Sequence, residues 1–139
     1  MKGKTIHQIS VGDSATFAKT ITDADVKLFA GISGDNNPVH INKEYAKNTM
    51  FKDRIAHGML VASLFSTILG TQLPGEGAIY VGQDLKFTKP VYLEDTITAT
   101  VTVTEVFVEK NRVVLETIAK NQHGDVVIKG TATLMPTTE

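Results

Sequence analysis

The stretch MLVASLFSTILGTQL, Met59 to Leu73, is the most apolar segment of this 139-residue sequence. It is shorter than the roughly 20 residues that a membrane-spanning helix requires, so it predicts a buried helix that begins at His57-Gly58. Apolar side chains cover most of its circumference: Met59, Leu60, Val61, Leu64, Phe65, Ile68 and Leu69. Such a helix needs apolar surroundings on nearly every side, and other elements must therefore wrap around it.

Four strand-like segments rich in Val, Ile and Thr follow this helix. They run roughly over residues 78–89, 96–108, 112–121 and 126–135. Turn-forming residues at 109–111 and 122–124 separate the last three segments, as in hairpins. Threonines alternate at positions 98, 100, 102 and 104, which indicates a strand with one face in water. These segments predict an antiparallel meander.

A strand and two helices are expected before the apolar helix. Residues 14–21 alternate between polar and apolar, as in a half-buried strand. Thr22 and Asp25 fit a capping box for a helix that ends near Gly34, and a short helix follows from Lys43 to about Asn48. The order of elements predicts an α+β fold: a single hot-dog-like domain over residues 1–139, in which a curved antiparallel sheet wraps around the long apolar helix.

The composition excludes several classes of protein. Fourteen Lys and Arg against fifteen Asp and Glu leave a net charge of −1, which argues against a nucleic-acid partner. The sequence contains no cysteine, so nothing in it indicates a disulfide scaffold or a thiolate metal site. The first ten residues lack the apolar core of a signal peptide. We therefore expect a cytoplasmic protein that binds neither nucleic acid nor a membrane.

Asp35 and His40 are the residues best suited to chemistry. They flank the run Gly34-Asp35-Asn36-Asn37-Pro38, which is rich in turn formers and is expected to form a loop with Asn37 extended. A turn lets the two side chains converge, so that they could bind one water, remove one proton and supply another, as hydration or dehydration requires. The alternative is that Asp35 and Asn37 only stabilise the turn while His40 packs as an ordinary polar residue.

Metal binding is not expected. His7 lies in a polar leader and His123 in a turn, which leaves His40 and His57 as candidates. Neither has a His, Cys or carboxylate partner at a spacing that resembles a known zinc pattern.

Three segments resemble the MaoC-like family. FAGISGDNNPVHINKEYA (29–46) contains the glycine-aspartate, asparagine-proline and histidine of the hydratase-2 signature. IAHGMLVASLFSTILGTQLPG (55–75) and IYVGQDLKFTKPVYLEDTITATVTVTE (79–105) resemble (R)-specific enoyl-CoA hydratases of the PhaJ type. The resemblance implies a hot-dog fold, a homodimer or higher homo-oligomer, and reversible syn hydration of trans-2-enoyl-CoA to (R)-3-hydroxyacyl-CoA without metal or organic cofactor. It also places Asp35 and His40 on the catalytic positions.

The resemblance extends the site into the apolar helix. It assigns the Gly58 N–H as donor to the developing oxyanion, since the N–H groups at a helix start are unpaired; alternatively, Gly58 only permits tight packing. It assigns Ser66 as support for Asp35; alternatively, its hydroxyl bonds to its own helix. Met59, Ala62 and Leu69 share a face with Ser66 and are expected to contact substrate. Asn37 is expected to shape the loop and to assist substrate binding, and His57 to pack at the helix start.

Two other functions remain possible on sequence alone. The chain has no glycine-rich phosphate loop, so the nucleotide end of coenzyme A would be held by scattered cations such as Lys86, Lys89 or Arg54. A 3-hydroxyacyl-acyl-carrier-protein dehydratase would use the same chemistry but needs a basic docking surface. A non-catalytic acyl-thioester-binding or dimerisation subunit would keep the fold, although the intact Asp35 and His40 argue against it.

Overall fold

Helices and strands are segregated along residues 2–139, as in an α+β fold: one strand precedes four α-helices, and four strands follow them. The computed structural model describes residues 2–139, so Met1 of the predicted domain lies outside it. The elements are β1 (Ser14–Thr20), α1 (Asp23–Ser33), α2 (Pro38–Ile41), α3 (Lys43–Lys47), α4 (Gly58–Thr71), β2 (Ile79–Phe87), β3 (Thr96–Phe107), β4 (Arg112–Lys120) and β5 (Val126–Met135). Short 3-10 helices cover Ile6–Gln8 and Val108–Lys110. No helix among these residues is long and apolar enough to cross a membrane.

The five strands form one antiparallel sheet in the order β1-β3-β4-β5-β2. The predicted meander is correct for β3, β4 and β5 but wrong for β2, which lies beside β5 at the far edge. The connection from β2 to β3 does not form a hairpin, because it contacts the segment before α4. The Ala56 N–H donates to the Val91 carbonyl at 2.7 Å, and Ile55 forms an isolated bridge with Tyr92.

Helix α4 supplies the centre of the core. Phe65, Ile68 and Leu69 are each at most 1% exposed and belong to one cluster with the inward-facing strand side chains. One face of α4 is nevertheless exposed, and its residues follow helical spacing: Met59, Ser63, Ser66 and Gly70. The prediction of apolar surroundings on nearly every side is therefore wrong for this face, because the sheet of one chain covers only the other side.

Helix α1 begins and ends at the predicted signals. The Asp25 N–H donates to Thr22 Oγ1 at 3.1 Å, and the Thr22 N–H donates to Asp25 Oδ2 at 3.0 Å. Gly34 ends the helix with φ +80°, a left-handed conformation that glycine adopts without steric cost. The position of the following loop is thus fixed by local signals.

Helix α2 was not predicted. Asn37 has φ −52° and ψ 123°, and its Oδ1 accepts the Val39 N–H at 3.3 Å. Pro38 occupies the first turn, where a missing N–H costs nothing. The predicted loop is therefore shorter than expected, and His40 lies on a helical turn. Asn37 has the structural role of a helix cap.

Candidate active site

A cavity of about 420 Å³ opens where the loop after α1 meets the start of α4. Its polar lining comes from Asp35, His40, His57, Gly58 and Lys89, and its apolar lining includes Phe51, Met59, Val61, Phe87 and Val91. A pocket of mainly apolar character with a few convergent polar groups is the usual form of a small-molecule site.

The predicted pair meets in this cavity. Polar side-chain atoms of Asp35, His40 and His57 lie within 4.8 Å of one another. Asp35 is exposed, and its Oδ1 accepts the Asn37 N–H at 3.2 Å, which fixes the carboxylate on the turn. The turn-stabilising role and the convergence with His40 are therefore both present in the same residue.

His40 has a defined orientation. Its Nδ1 lies 2.7 Å from the Ile55 carbonyl, which can only accept, so Nδ1 carries the proton and Nε2 of the neutral ring remains an acceptor. The residue as a whole is 8% exposed. Burial lowers the pKa of His40 and is the largest influence; the Ile55 carbonyl raises it, His57 lowers it, and the Asp35 carboxylate raises it. The net effect favours the neutral, basic ring.

Arg54 holds the backbone of His40. Its Nε donates to the His40 carbonyl at 2.6 Å, and its guanidinium forms an ion pair with Asp23 at 2.7 Å. Hydrogen bonds from Lys27 and Arg54 lower the pKa of Asp23. Because both sides of Arg54 are engaged within the chain, it does not present a free charge for the phosphates of coenzyme A.

The other two candidate cations lie apart. Lys89 lines the cavity and forms an ion pair with Asp125 at 3.4 Å. Lys86 lies in a separate polar groove with Lys129 and Glu116. Of the predicted cations, only Lys89 lies at the cavity.

Two features of Gly58 relate to the two alternatives considered for it, tight packing and donation from its N–H. A Cβ at this position would lie 2.6 Å from Cε1 of Phe87, so the ring packs against the bare backbone. The N–H groups of Leu60 and Val61 donate to the His57 carbonyl, whereas no acceptor for the Gly58 N–H occurs within residues 2–139. The helix start therefore presents an unpaired donor to the cavity, with the favourable end of the helix dipole behind it.

The site residues predicted further along α4 lie mainly outside the cavity. Met59 lines both the cavity and a neighbouring groove of about 380 Å³, whose lining also includes Ala62 and Ser66. Leu69 is 1% exposed, packs in the core and lines neither space, so its predicted contact with substrate is not supported. Leu69 lies elsewhere than predicted because the sheet covers its side of the helix.

Ser66 is not brought to Asp35 within one chain. It is exposed in the groove, and its hydroxyl has no hydrogen bond to Asp35 or to its own helix in the described part of the chain. The opposite wall of the groove contains Tyr80 and Gln83, which sequence reasoning missed. The Tyr80 hydroxyl donates to Gln83 Oε1, and Gln83 Nε2 donates to Thr117 Oγ1 at 2.9 Å.

His57 has more contacts than a packing residue at a helix start needs. Its ring is stacked on that of His40, with centroids 3.9 Å apart and planes at 28°, and its Nε2 lies 2.9 Å from the Asp35 carbonyl. The His57-Gly58 dipeptide at the helix start was the only signal for it. Since imidazole lone pairs lie in the ring plane, two stacked rings direct their free nitrogens poorly toward one shared metal ion.

Comparison with known proteins agrees with this architecture. A family model described as MaoC like domain matches residues 8–125. A relative named (R)-specific enoyl-CoA hydratase from Rhodospirillum rubrum is 56% identical over 127 residues, which cover 91% of this chain and 88% of the relative.

Two solved structures share the whole fold. Unliganded R-hydratase PhaJ1 from Pseudomonas aeruginosa is 44% identical with a TM-score of 0.93, covering 99% of this chain and 88% of that one. The (R)-hydratase from A. caviae involved in PHA biosynthesis is 43% identical with a TM-score of 0.89, covering 91% and 96%. The fold is therefore the predicted hot-dog fold, and the chain belongs to the family of MaoC-like domains.

Proposed function

We propose that this chain is an (R)-specific enoyl-CoA hydratase, which reversibly adds water to a trans-2-enoyl-CoA to give an (R)-3-hydroxyacyl-CoA. The observation that carries the proposal is the convergence of Asp35 and His40 within 4.8 Å in a cavity that also contains Gly58. The name of the Rhodospirillum rubrum relative supports the same substrate class.

The Asp35–His40 pair would activate one water. The Asp35 carboxylate and Nε2 of neutral His40 are both acceptors, so a single water can donate one hydrogen to each. As the water oxygen bonds to the β-carbon, the pair takes up one proton from it. The pair then returns a proton to the α-carbon, and the site ends in its starting protonation state.

Gly58 would stabilise the charge that develops in between. Attack at the β-carbon moves the electron pair of the double bond toward the thioester oxygen, which becomes an enolate. A donor aimed at such an oxygen contributes about 3 kcal/mol to the lowering of the barrier. The unpaired Gly58 N–H at the start of α4 fits this role. When the α-carbon is protonated, the charge returns and the thioester is restored.

The geometry also suggests the stereochemistry. Asp35 and His40 are close together on one side of the cavity. If one pair delivers the hydroxyl to the β-carbon and the proton to the α-carbon, both additions occur on the same face of the double bond. Syn addition follows, and the (R)-configuration then depends on which face of the double bond is turned toward the pair.

The acyl chain would extend along α4. Met59 lines both the cavity and the neighbouring groove, which continues past Ala62 toward Ser66. We propose Met59 and Ala62 as acyl contacts and Lys89 as a contact for the nucleotide end. Asn37 would act by holding the loop. We propose that Ser66 supports Asp35, with its hydroxyl left free for this role because it has no partner inside the described part of the chain.

The active protein is proposed to be a homodimer or a higher homo-oligomer. The edge strand β2 exposes Ile79, Tyr80 and Val81 at 57%, 40% and 51%. The exposed face of α4 lies beside this strand, because Met59 and Ser66 share a groove with Tyr80 and Val81. A second copy would cover this apolar surface. We further propose a cytoplasmic location, since CoA thioesters are metabolites of the cell interior.

Crotonyl-CoA tests the proposal directly. The purified protein should remove the conjugated enoyl absorbance and yield the (R)-alcohol on chiral analysis, whereas D35N and H40Q should lose at least about 100-fold in kcat. H123Q, which changes a histidine in an exposed turn, is the matched control. A folded protein that hydrates neither crotonyl-CoA nor longer enoyl-CoAs contradicts the proposal. Much faster turnover of carrier-protein thioesters would instead identify the dehydratase.

A further inference from the structure

His57 lies directly before α4 but does not cap it. The residue occupies the N-cap position, and its side chain makes no capping hydrogen bond. The residue as a whole is 2% exposed. It is therefore directed away from its own helix and into the interior beside the cavity, although a histidine at this depth must give up most of its contact with water.

One edge of the ring holds the loop of Asp35. His57 Nε2 lies 2.9 Å from the backbone carbonyl of Asp35, and because a carbonyl can only accept, Nε2 carries the proton and donates. The two residues are 22 positions apart. This bond fixes the loop after α1 against the start of α4, which bears the Gly58 N–H.

One face of the ring holds His40. The centroids of the two imidazoles are 3.9 Å apart with their planes at 28°, and Phe29 contacts His57 at a centroid distance of 4.8 Å. Stacking restricts rotation of the His40 ring about the bond that Nδ1 makes to the Ile55 carbonyl. The plane in which His40 presents Nε2 to the cavity is thus determined by His57.

The second ring nitrogen of His57 indicates that folding stability alone does not explain a histidine at this position. Nδ1 of His57 is buried and has no hydrogen-bond partner among the described residues. Buried polar atoms in folded proteins are nearly always bonded, and an unbonded one is a cost to the fold. A phenylalanine would pack here without that cost, and a glutamine would donate to the carbonyl without the ring.

We infer that His57 is a positioning residue that fixes Asp35 and His40 relative to each other, through its Nε2–H to the Asp35 carbonyl and its ring face against the His40 imidazole. This inference rests on the proposed function, because it assigns a role within the same site. It adds a third side chain to the site, one that acts through the two that would contact water.

The contact also has an electrostatic consequence. The ionisable groups around His40 are the Asp35 carboxylate, His57, Lys89 on the cavity lining and Arg54 at the His40 carbonyl. His57 is among the groups that lower the pKa of His40. Replacement of His57 by an uncharged residue of similar size removes this contribution while His40 stays buried, so the pKa of His40 should rise.

Two variants separate the two contacts. H57F keeps an aromatic face but removes the donor, and H57Q keeps a donor but removes the ring; H123Q is the control. With crotonyl-CoA, each His57 variant should lose about tenfold or more in kcat while KM changes by less than about threefold, since misplacement of a reacting group mainly affects the chemical step. The acidic limb of the kcat/KM profile should move to higher pH in both.

The experiment also separates an effect of the substitutions on catalysis from an effect on folding stability. Each protein is assayed about 15 °C below its own Tm, and the pKa of His40 is measured by NMR titration of its imidazole. A kcat that stays within about twofold of wild type at these matched temperatures overturns the inference. An unchanged pKa of His40 in H57F also overturns it. If wild type hydrates no thioester, the proposed function fails, whereas the NMR titration still tests the contact between the two rings.

Discussion

Two backbone carbonyls set the hydrogen positions in the site. The Ile55 carbonyl takes the proton of His40 Nδ1, and the Asp35 carbonyl takes that of His57 Nε2. Asp35 and His40 could be nominated from sequence because a single turn separates them. The carbonyls could not, because each bond joins segments 15 or 22 residues apart whose contact depends on tertiary packing.

The pH dependence of activity should reflect the burial of His40. Because burial lowers the pKa of this ring below its ordinary value of 6.5, the neutral form persists to more acidic pH. The acidic limb of the kcat/KM profile should therefore have its midpoint below 6.5.

The same shift affects stability. As pH falls through 6.5, the unfolded chain binds a proton at this position before the folded chain does, so the free energy of unfolding should decrease until folded His40 is also protonated. Urea unfolding of wild type and H40Q, carried out between about pH 5 and 8 where imidazoles titrate, measures how much of the pH dependence of stability comes from His40. An equal pH dependence in both proteins would contradict it.

Gly58 should be intolerant of a methyl group. An alanine keeps the N–H but places Cβ 2.6 Å from the Phe87 ring, which must then move within the cavity lining. We expect G58A to lose about tenfold in kcat/KM for crotonyl-CoA. The double variant G58A/F87L should recover part of the loss, because leucine relieves the contact. If F87L gives no recovery, the effect of G58A does not come from this contact.

At the level of elements, local sequence signals predicted where individual helices and strands begin and end. The Thr22 capping box and Gly34 placed both ends of α1, and the Val-rich pattern placed β5 over residues 126–135. The neighbour of β2 could not be read in this way, because pairing with β5 instead of β3 is decided by how the connection after β2 packs near α4. Most side chains of β2 are exposed, so its own pattern does not distinguish the two neighbours.

Two glycines, Gly31 within α1 and Gly34 at its C-cap, should respond in opposite directions to the same substitution. A Cβ at Gly31 meets no atom within 4 Å, so G31A should raise the free energy of unfolding by about 0.5–1 kcal/mol. Gly34 has φ +80°, so G34A should lower it by about 1–2 kcal/mol. Urea denaturation measures both. A change of the same sign in the two variants would show that the end of α1 is not held as described.

At the level of the whole molecule, the two edge strands of the sheet differ in the polarity of their exposed side chains. The edge strand β1 exposes Ser14, Thr16 and Thr20, whereas β2 exposes Ile79 and Val81. Polar edge strands resist pairing with other chains, and apolar ones favour it. The exposed face of α4 adjoins the apolar edge. Sequence patterns could not identify this face, because the helix has apolar residues on most sides and only the sheet decides which side remains open.

A charge on the apolar edge should separate the subunits. V81D places a carboxylate among exposed apolar residues of β2 and should shift the mass measured by light scattering toward that of one 15.0 kDa chain. T16D, on the polar edge β1, is the matched control and should leave the mass unchanged. A wild-type protein that is monomeric at micromolar concentration, or a V81D variant with unaltered mass, would contradict an interface at β2.

The two hydrogen bonds that hold His40 also join the ends of one segment of the chain. Its ring bonds to the Ile55 carbonyl and its own carbonyl accepts from Arg54, so the chain leaves this point at Ile41 and returns to it after Asp53. An excursion whose ends are already joined costs little extra entropy to lengthen. Met50 is 83% exposed near its tip. We therefore expect an insertion before Met50, such as a reporter or an affinity tag, to be tolerated, whereas one after it would displace Phe51 from the cavity lining.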